Sequence, residues 1–241
     1  MIFGIRAIIE AIEAGHEIDK ILLKKDIQSE LSQELFAAVK GRNIPVVRVP
    51  VEKIDRITNK NHQGAIAFVS QTVYQKTEDI VPFLFEQGKN PFIVILDGVE
   101  DPYNLGAVVR CAECAGAHGV IIPKRRAAGL TPAAAKSSAG ALEHMAVAKV
   151  VNIAAAIEEL QAAGVWVYAA EADGDDLYGV DMNRAAAFVF GSEGRGVSRL
   201  VCEKSDYKVS IPMYGKVNSM NVSTAAAVVL TEAARQKHSV K

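Results

Sequence analysis

Hydrophobic positions follow two rhythms along the chain. Ile5, Ile8, Ile9 and Ile12 share one face of a helix that Gly15 can end. A strand over Ile18–Leu23 follows, then a second amphipathic helix carried by Leu31, Leu35, Phe36 and Val39 and stopped at Gly41. Strands at Ile44–Val49 and Ala65–Ser70 flank a short helix near Val51–Ile57. Residues 1–75 thus form a small α/β unit. Residues 76–90 form a connector, with Pro82, Gly88 and one or two helical turns within Ile80–Phe85.

From residue 91 to 241 the apolar runs become continuous instead of alternating. Strands are expected at Phe92–Leu96, Gly119–Ile122, Val147–Val151, Val165–Ala170, Ala187–Phe190 and Val209–Ile211. Helices are expected at Leu105–Gly116, Ala154–Ala163, Ser198–Glu203 and Val222–Gln236. Uninterrupted apolar strands separated by helices predict a mostly parallel sheet covered on both faces, an α/β fold.

Composition narrows the class. The 241 residues are 50% hydrophobic and 23% charged, as in an ordinary globular protein. Three cysteines give no disulfide framework, and a reducing cytoplasm is the expected compartment. Arg6, Glu10 and Glu13 break any apolar core of a signal peptide, and no apolar run is long enough to span a bilayer. A net charge of −1 argues against coating nucleic acid through charge alone. It leaves room for local patches such as Lys124-Arg125-Arg126, which is either a phosphate contact or a solvated loop.

Ligands of open parallel sheets bind beyond the carboxyl ends of the strands, so the polar residues there carry the chemistry. Three such segments stand out. Asn104, Gly106 and Arg110 follow the first strand of the second unit: Asn104 can cap the next helix, and Gly106 admits a close backbone. Gly191-Ser192-Glu193-Gly194-Arg195-Gly196 follows another strand. Its spacing is neither the dinucleotide fingerprint nor a P-loop. Ile211 through Ser223 leads into the last helix, with Ser219 or Asn221 as its cap. Each segment alone is explained equally well by capping or a flexible turn. Two other features read as structural: Cys111, Cys114 and His118 lie on one helix face but lack a fourth metal ligand, and Glu171–Asp176 reads as a solvated acidic loop without the closing Glu of a calcium site.

Taken together, N-x-G-x-x-x-R, G-S-E-G-x-G and I-P-M-x-G-x-x-x-S-x-N-V-S resemble, in order, the three motifs of the SpoU/TrmH family of the SPOUT superfamily. Met220 stands where many members carry leucine. Gly4-Ile5-Arg6-Ala7-Ile8 and the His62-Gln63-Gly64 turn resemble the ribosomal-protein-like substrate-binding domain of members that modify a guanosine ribose in 23S rRNA. The resemblance implies S-adenosylmethionine-dependent methyl transfer to an RNA ribose 2′-hydroxyl, without metal, by a homodimer whose C-terminal sheet carries a deep trefoil knot. It assigns catalysis to Arg110, Asn104, Glu193, Ser219 and Asn221, the cofactor to Gly191, Ile211 and Met220, and RNA contacts to Arg6, His62 and Arg195. Asn104 and Glu193 are expected to hold the guanidinium of Arg110. A guanidinium stays protonated, with a pKa of about 12.5–13.8, so Arg110 is read as an electrostatic clamp rather than a base. tRNA as substrate, a non-catalytic RNA-binding or ribosome-assembly factor, and a nucleotide-dependent oxidoreductase are the competing readings. The last lacks the early glycine fingerprint.

Overall fold

The computed structural model describes residues 1–16, 18–42, 44–69, 77–217 and 219–239. It divides into two compact units, residues 1–73 with 129–131, and the remainder. The expected domain end at residue 75 and the start of the connector lie outside the described residues.

In the first unit β1 (Ile2–Phe3), α1 (Ile5–Glu13), β2 (Ile18–Lys24), α2 (Glu30–Val39), β3 (Val46–Val49), α3 (Val51–Asp55) and β4 (Ala65–Val69) form a four-stranded sheet ordered β1-β4-β2-β3. The isoleucine stripe of α1 is buried against Ile21, Leu23, Ala65 and Ala67 on one sheet face. Leu22, Ile66, Val49 and Ile54 form a smaller core on the other. Gly15 ends α1 as expected: its φ is +80°, its N–H reaches Ile12 O, and the His16 N–H reaches Ala11 O.

The second unit contains α4 (Thr77–Glu86), β5 (Phe92–Asp97), α5 (Pro102–Cys114), β6 (Gly119–Pro123), α6 (Pro132–Ser138), β7 (Ala146–Val150), α7 (Ile153–Ala162), β8 (Trp166–Asp176), β9 (Ala186–Gly191), α8 (Arg199–Lys204), β10 (Tyr207–Ser210) and α9 (Val222–His238). Six strands form one sheet ordered β10-β8-β9-β5-β6-β7, and every pair in it is parallel. The central strands β5 and β9 are buried along nearly their whole length, as their unbroken apolar runs predict.

Three details differ from the sequence expectation. Within the connector, α4 is a ten-residue helix whose Ile80, Val81 and Leu84 join the core of the sheet. The acidic stretch 171–176 is the continuation of β8, paired to β10 at Val209↔Asp175 and Ser210↔Asp176 past a register shift. Its alternating acids conceal a strand whose outer half faces solvent. Helix α6, too short and alanine-rich for a periodic signal, packs on α5 where Gly106 lies: a Cβ there would stand 2.3 Å from Ala134 O. Gly106 therefore serves the close helix approach anticipated for it.

Candidate functional site

Asp101, not Asn104, caps α5: its side chain accepts the Tyr103 N–H, with Pro102 at the first helical position. Asn104, one residue past Tyr103 in the first turn, is thereby released from capping. Its Nδ2 donates to Glu193 Oε1 at 3.0 Å. Asn221, the N-cap of α9, accepts the Ser223 N–H through Oδ1 and turns its Nδ2 outward. That amide donates to Asn104 Oδ1 at 3.0 Å and to Glu193 Oε1 at 2.6 Å. The triangle takes one side chain from each of the three segments singled out in the sequence.

The topology explains how they meet. β5 and β9 are neighbours, so Asn104 and Glu193 leave the sheet side by side. After β10 at the sheet edge, Asn221 lies beside them at the start of α9. Beside the triangle a cleft of about 290 Å³ is lined by Gly98, Glu100, Asp101, Ser192, Arg195 and Val222, among others. Arg195 thus lies at the cleft. Ser192, Glu100 and Asp101 were not anticipated there, although all three follow buried strands as ligand-facing residues do.

The turn carrying Glu193 is tight. Ser192 and Gly196 exchange two backbone hydrogen bonds of 3.1 and 3.0 Å. A Cβ at Gly191 would stand 1.9 Å from Gly196 C, so only glycine fits at the end of β9.

The remaining expected residues are placed less closely. Arg110 is exposed on α5 and makes no hydrogen bond or ion pair with the described residues; the carboxylate of Glu193 is engaged by the two amides instead. Ser219 and Met220 are exposed and Ile211 is half-buried. Met213, Tyr214 and Val217 between them are exposed too, an apolar rim along the returning segment. Arg6 is exposed on α1. His62 has both ring nitrogens in use: Nε2 pairs with Asp55 Oδ1 at 2.8 Å, and Nδ1 accepts the Gly64 N–H at 3.0 Å. It holds the turn at Gly64.

Cys111, Cys114 and His118 do not converge into a group of potential ligands. No cluster of three potential ligands occurs among the described residues. His118 Nδ1 accepts the Phe92 N–H at 3.0 Å, and burial, then Lys89 and Lys237, hold its imidazole below the usual range. Burial, then Cys114, pushes the Cys111 thiol up, away from a reactive thiolate. Lys124, Arg125 and Arg126 are exposed. Among the described residues no helix is long and apolar enough to cross a membrane.

Comparison with known proteins follows the same outline. Residues 91–231 match the model of the SpoU rRNA Methylase family, and residues 1–75 match that for RNA 2′-O ribose methyltransferase substrate binding. A Bacillus subtilis protein named for the TrmH family of tRNA/rRNA methyltransferases is 39% identical over 99% of this chain and 96% of its own length. The SpoU methyltransferase AviRb of Streptomyces viridochromogenes, solved with AdoMet, superposes with a TM-score of 0.63 at 26% identity, covering 100% of this chain and 91% of that one. An AdoMet-bound rRNA methyltransferase from Sinorhizobium meliloti gives 0.63 at 26% identity, covering 95% of this chain and 84% of that one.

Proposed function

The chain belongs to the SpoU rRNA methylase family and is an S-adenosylmethionine-dependent RNA methyltransferase, and we propose that its acceptor is a ribose 2′-hydroxyl of ribosomal RNA, a guanosine of 23S rRNA first among them. The observation that carries the assignment of the site is the Asn104–Glu193–Asn221 triangle beside the cleft.

The residues present fit the cofactor. Gly191 ends β9 with its Cβ direction filled by the Gly196 backbone, so no side chain stands at that strand end, and half-buried Ile211 with exposed Met220 leave apolar surface on the returning segment. Gly191, Ile211 and Met220 would hold the adenosyl part, backbone and apolar surface suiting a nucleobase. When bound, the sulfonium supplies an already activated methyl group, so no metal is required.

The chain's own residues prepare the acceptor. Asn104 and Asn221 fix Glu193 by hydrogen bonds to its charged carboxylate, which are stronger than neutral ones. Arg110, free of partners in the described structure, is available to a phosphate of the incoming RNA and to the developing alkoxide. A phosphate oxygen or water takes the hydroxyl proton. Ser219 orients the ribose, and Asn221, whose amide is engaged by Asn104, Glu193 and Ser223, contributes through the triangle. Arg195 at the cleft and Arg6 with the His62 turn on the first unit contact the RNA. The trefoil knot, the homodimer and a cytoplasmic location belong to the same proposal.

The deciding experiment maps 2′-O-methyl positions in total RNA with and without the protein. Loss of one 23S rRNA guanosine mark is expected on deletion. A missing tRNA mark would move the substrate to tRNA, and an unchanged map together with no S-adenosylmethionine binding in calorimetry would leave a non-catalytic RNA-binding factor.

A further inference from the structure

The outer half of β8 belongs to none of the three segments, yet Glu171 within it reaches the second. Glu171 Oε1 accepts the backbone N–H of Val197. Asp97 Oδ2, at the end of β5, accepts the N–H of Ser198 at 2.8 Å. β8 and β5 are the strands on either side of β9. Two carboxylates therefore grip, from both flanks, the exit of the turn that begins at the end of β9.

Each bond answers a need of the chain. Val197 is buried, so its N–H must find a partner within the protein. Among the described residues that partner is the Glu171 carboxylate, carried by the stretch of β8 that lies between the two registers of its pairing with β10. Gly196 completes the fit: its φ is +66°, and a Cβ there would stand 2.6 Å from Glu171 Oε1. The carboxylate occupies space that only glycine leaves open.

We propose that Glu171, with Asp97 as its counterpart, is a positioning residue for Glu193: by accepting the Val197 N–H it fixes the 192–196 turn and so closes the Asn104–Glu193–Asn221 triangle. Its carboxylate meets the backbone of the turn and so acts through Glu193. The proposal rests on the function assigned to that cleft.

The test compares Glu171→Ala, Glu171→Gln and wild type as full chains. The glutamine amide oxygen can still accept from Val197, so E171Q should keep kcat within about two-fold. E171A should lose about 100-fold in kcat, with the KM for RNA unchanged, because a small misplacement of a catalytic group costs that much. Wild-type kcat in E171A, or a loss in E171Q as deep as in E171A, would overturn it. If E171A does not fold, Glu171→Asp, one methylene too short, should still lower kcat about ten-fold; wild-type kcat there also overturns it. Hydrogen exchange separates the two layers. Absence of methyl transfer by wild type would sink the function of the cleft, while amide exchange at residues 192–198 still decides the positioning. Faster exchange in E171A supports it, and unchanged exchange refutes it.

Discussion

Asn104 and Asn221, 117 positions apart, are joined side chain to side chain at 3.0 Å, and both donate to the same oxygen of Glu193. Asn221 also caps α9 through its other atom. Its two duties can be separated. Asn221→Asp keeps the capping oxygen but replaces the donor with a second carboxylate facing Glu193. Thermal stability is expected to fall by no more than about 1 kcal/mol, while methyl transfer drops by about 100-fold or more. Melting and single-turnover methylation measured on the same sample check this; retained turnover would show that the triangle is incidental.

Arg110 is exposed and without a partner in the described structure. Arg110→Ala is expected to abolish methyl transfer while calorimetry shows S-adenosylmethionine bound as in wild type. Arg110→Lys should restore little, since an ammonium cannot grip phosphate in two places. Turnover surviving in the alanine variant would remove Arg110 from the mechanism.

Gly106 sits where α5 and α6 approach, 2.3 Å from Ala134 O if a Cβ is added. Overpacking of this kind costs about 1–3 kcal/mol. Gly106→Ala should therefore lower the denaturation midpoint, even though alanine is the better helix former. A midpoint at or above that of wild type would mean that the helices slide apart at no cost.

Lys237, near the end of α9, donates to Arg184 O and lies 5.4 Å from the centre of the Phe92 ring. Burial lowers its pKa from 10.5 to about 8, against the pull of Asp181, and His118 nearby offers no opposing charge because its imidazole is itself held below the usual range. Between about 8 and 10.5 the unfolded chain keeps a proton that the folded chain has released, so this lysine adds stability as pH rises through that window. The melting temperature of wild type relative to Lys237→Met is expected to rise between about pH 7.5 and 9.5. A flat or falling difference contradicts the buried, depressed lysine.

Removing residues 1–75 should weaken RNA binding and leave S-adenosylmethionine binding intact, since the triangle and the cleft are built wholly from later residues. Filter binding and calorimetry on the truncated chain measure both; unchanged RNA affinity would deprive the first unit of its substrate role.

Much of this could be read from the chain. The continuous apolar runs of β5 and β9 announce a buried parallel sheet, and the α1 isoleucines announce the face that packs. What stayed hidden has physical reasons. Asparagine is both a capping residue and a ligand, and only the structure shows that Asp101 takes the cap and frees Asn104. Glu171–Asp176 has the composition of a loop because that stretch of β8 is half solvated, and no local pattern reveals an acceptor aimed at Val197, 26 residues away. The isolation of Arg110 was likewise invisible, since helical spacing places a residue along an axis but does not say what its side chain meets.

The span of chain between Asn104 and Asn221 has a consequence for how activity arises. Closing so long a loop is entropically costly, so such contacts form late in folding, after local helices and neighbouring strands are in place. The site therefore depends on the whole sheet being formed and not on any local stretch of the chain. On refolding from denaturant, helical signal should return first and methyl transfer last. Competence to modify RNA is the final property that the folding chain acquires.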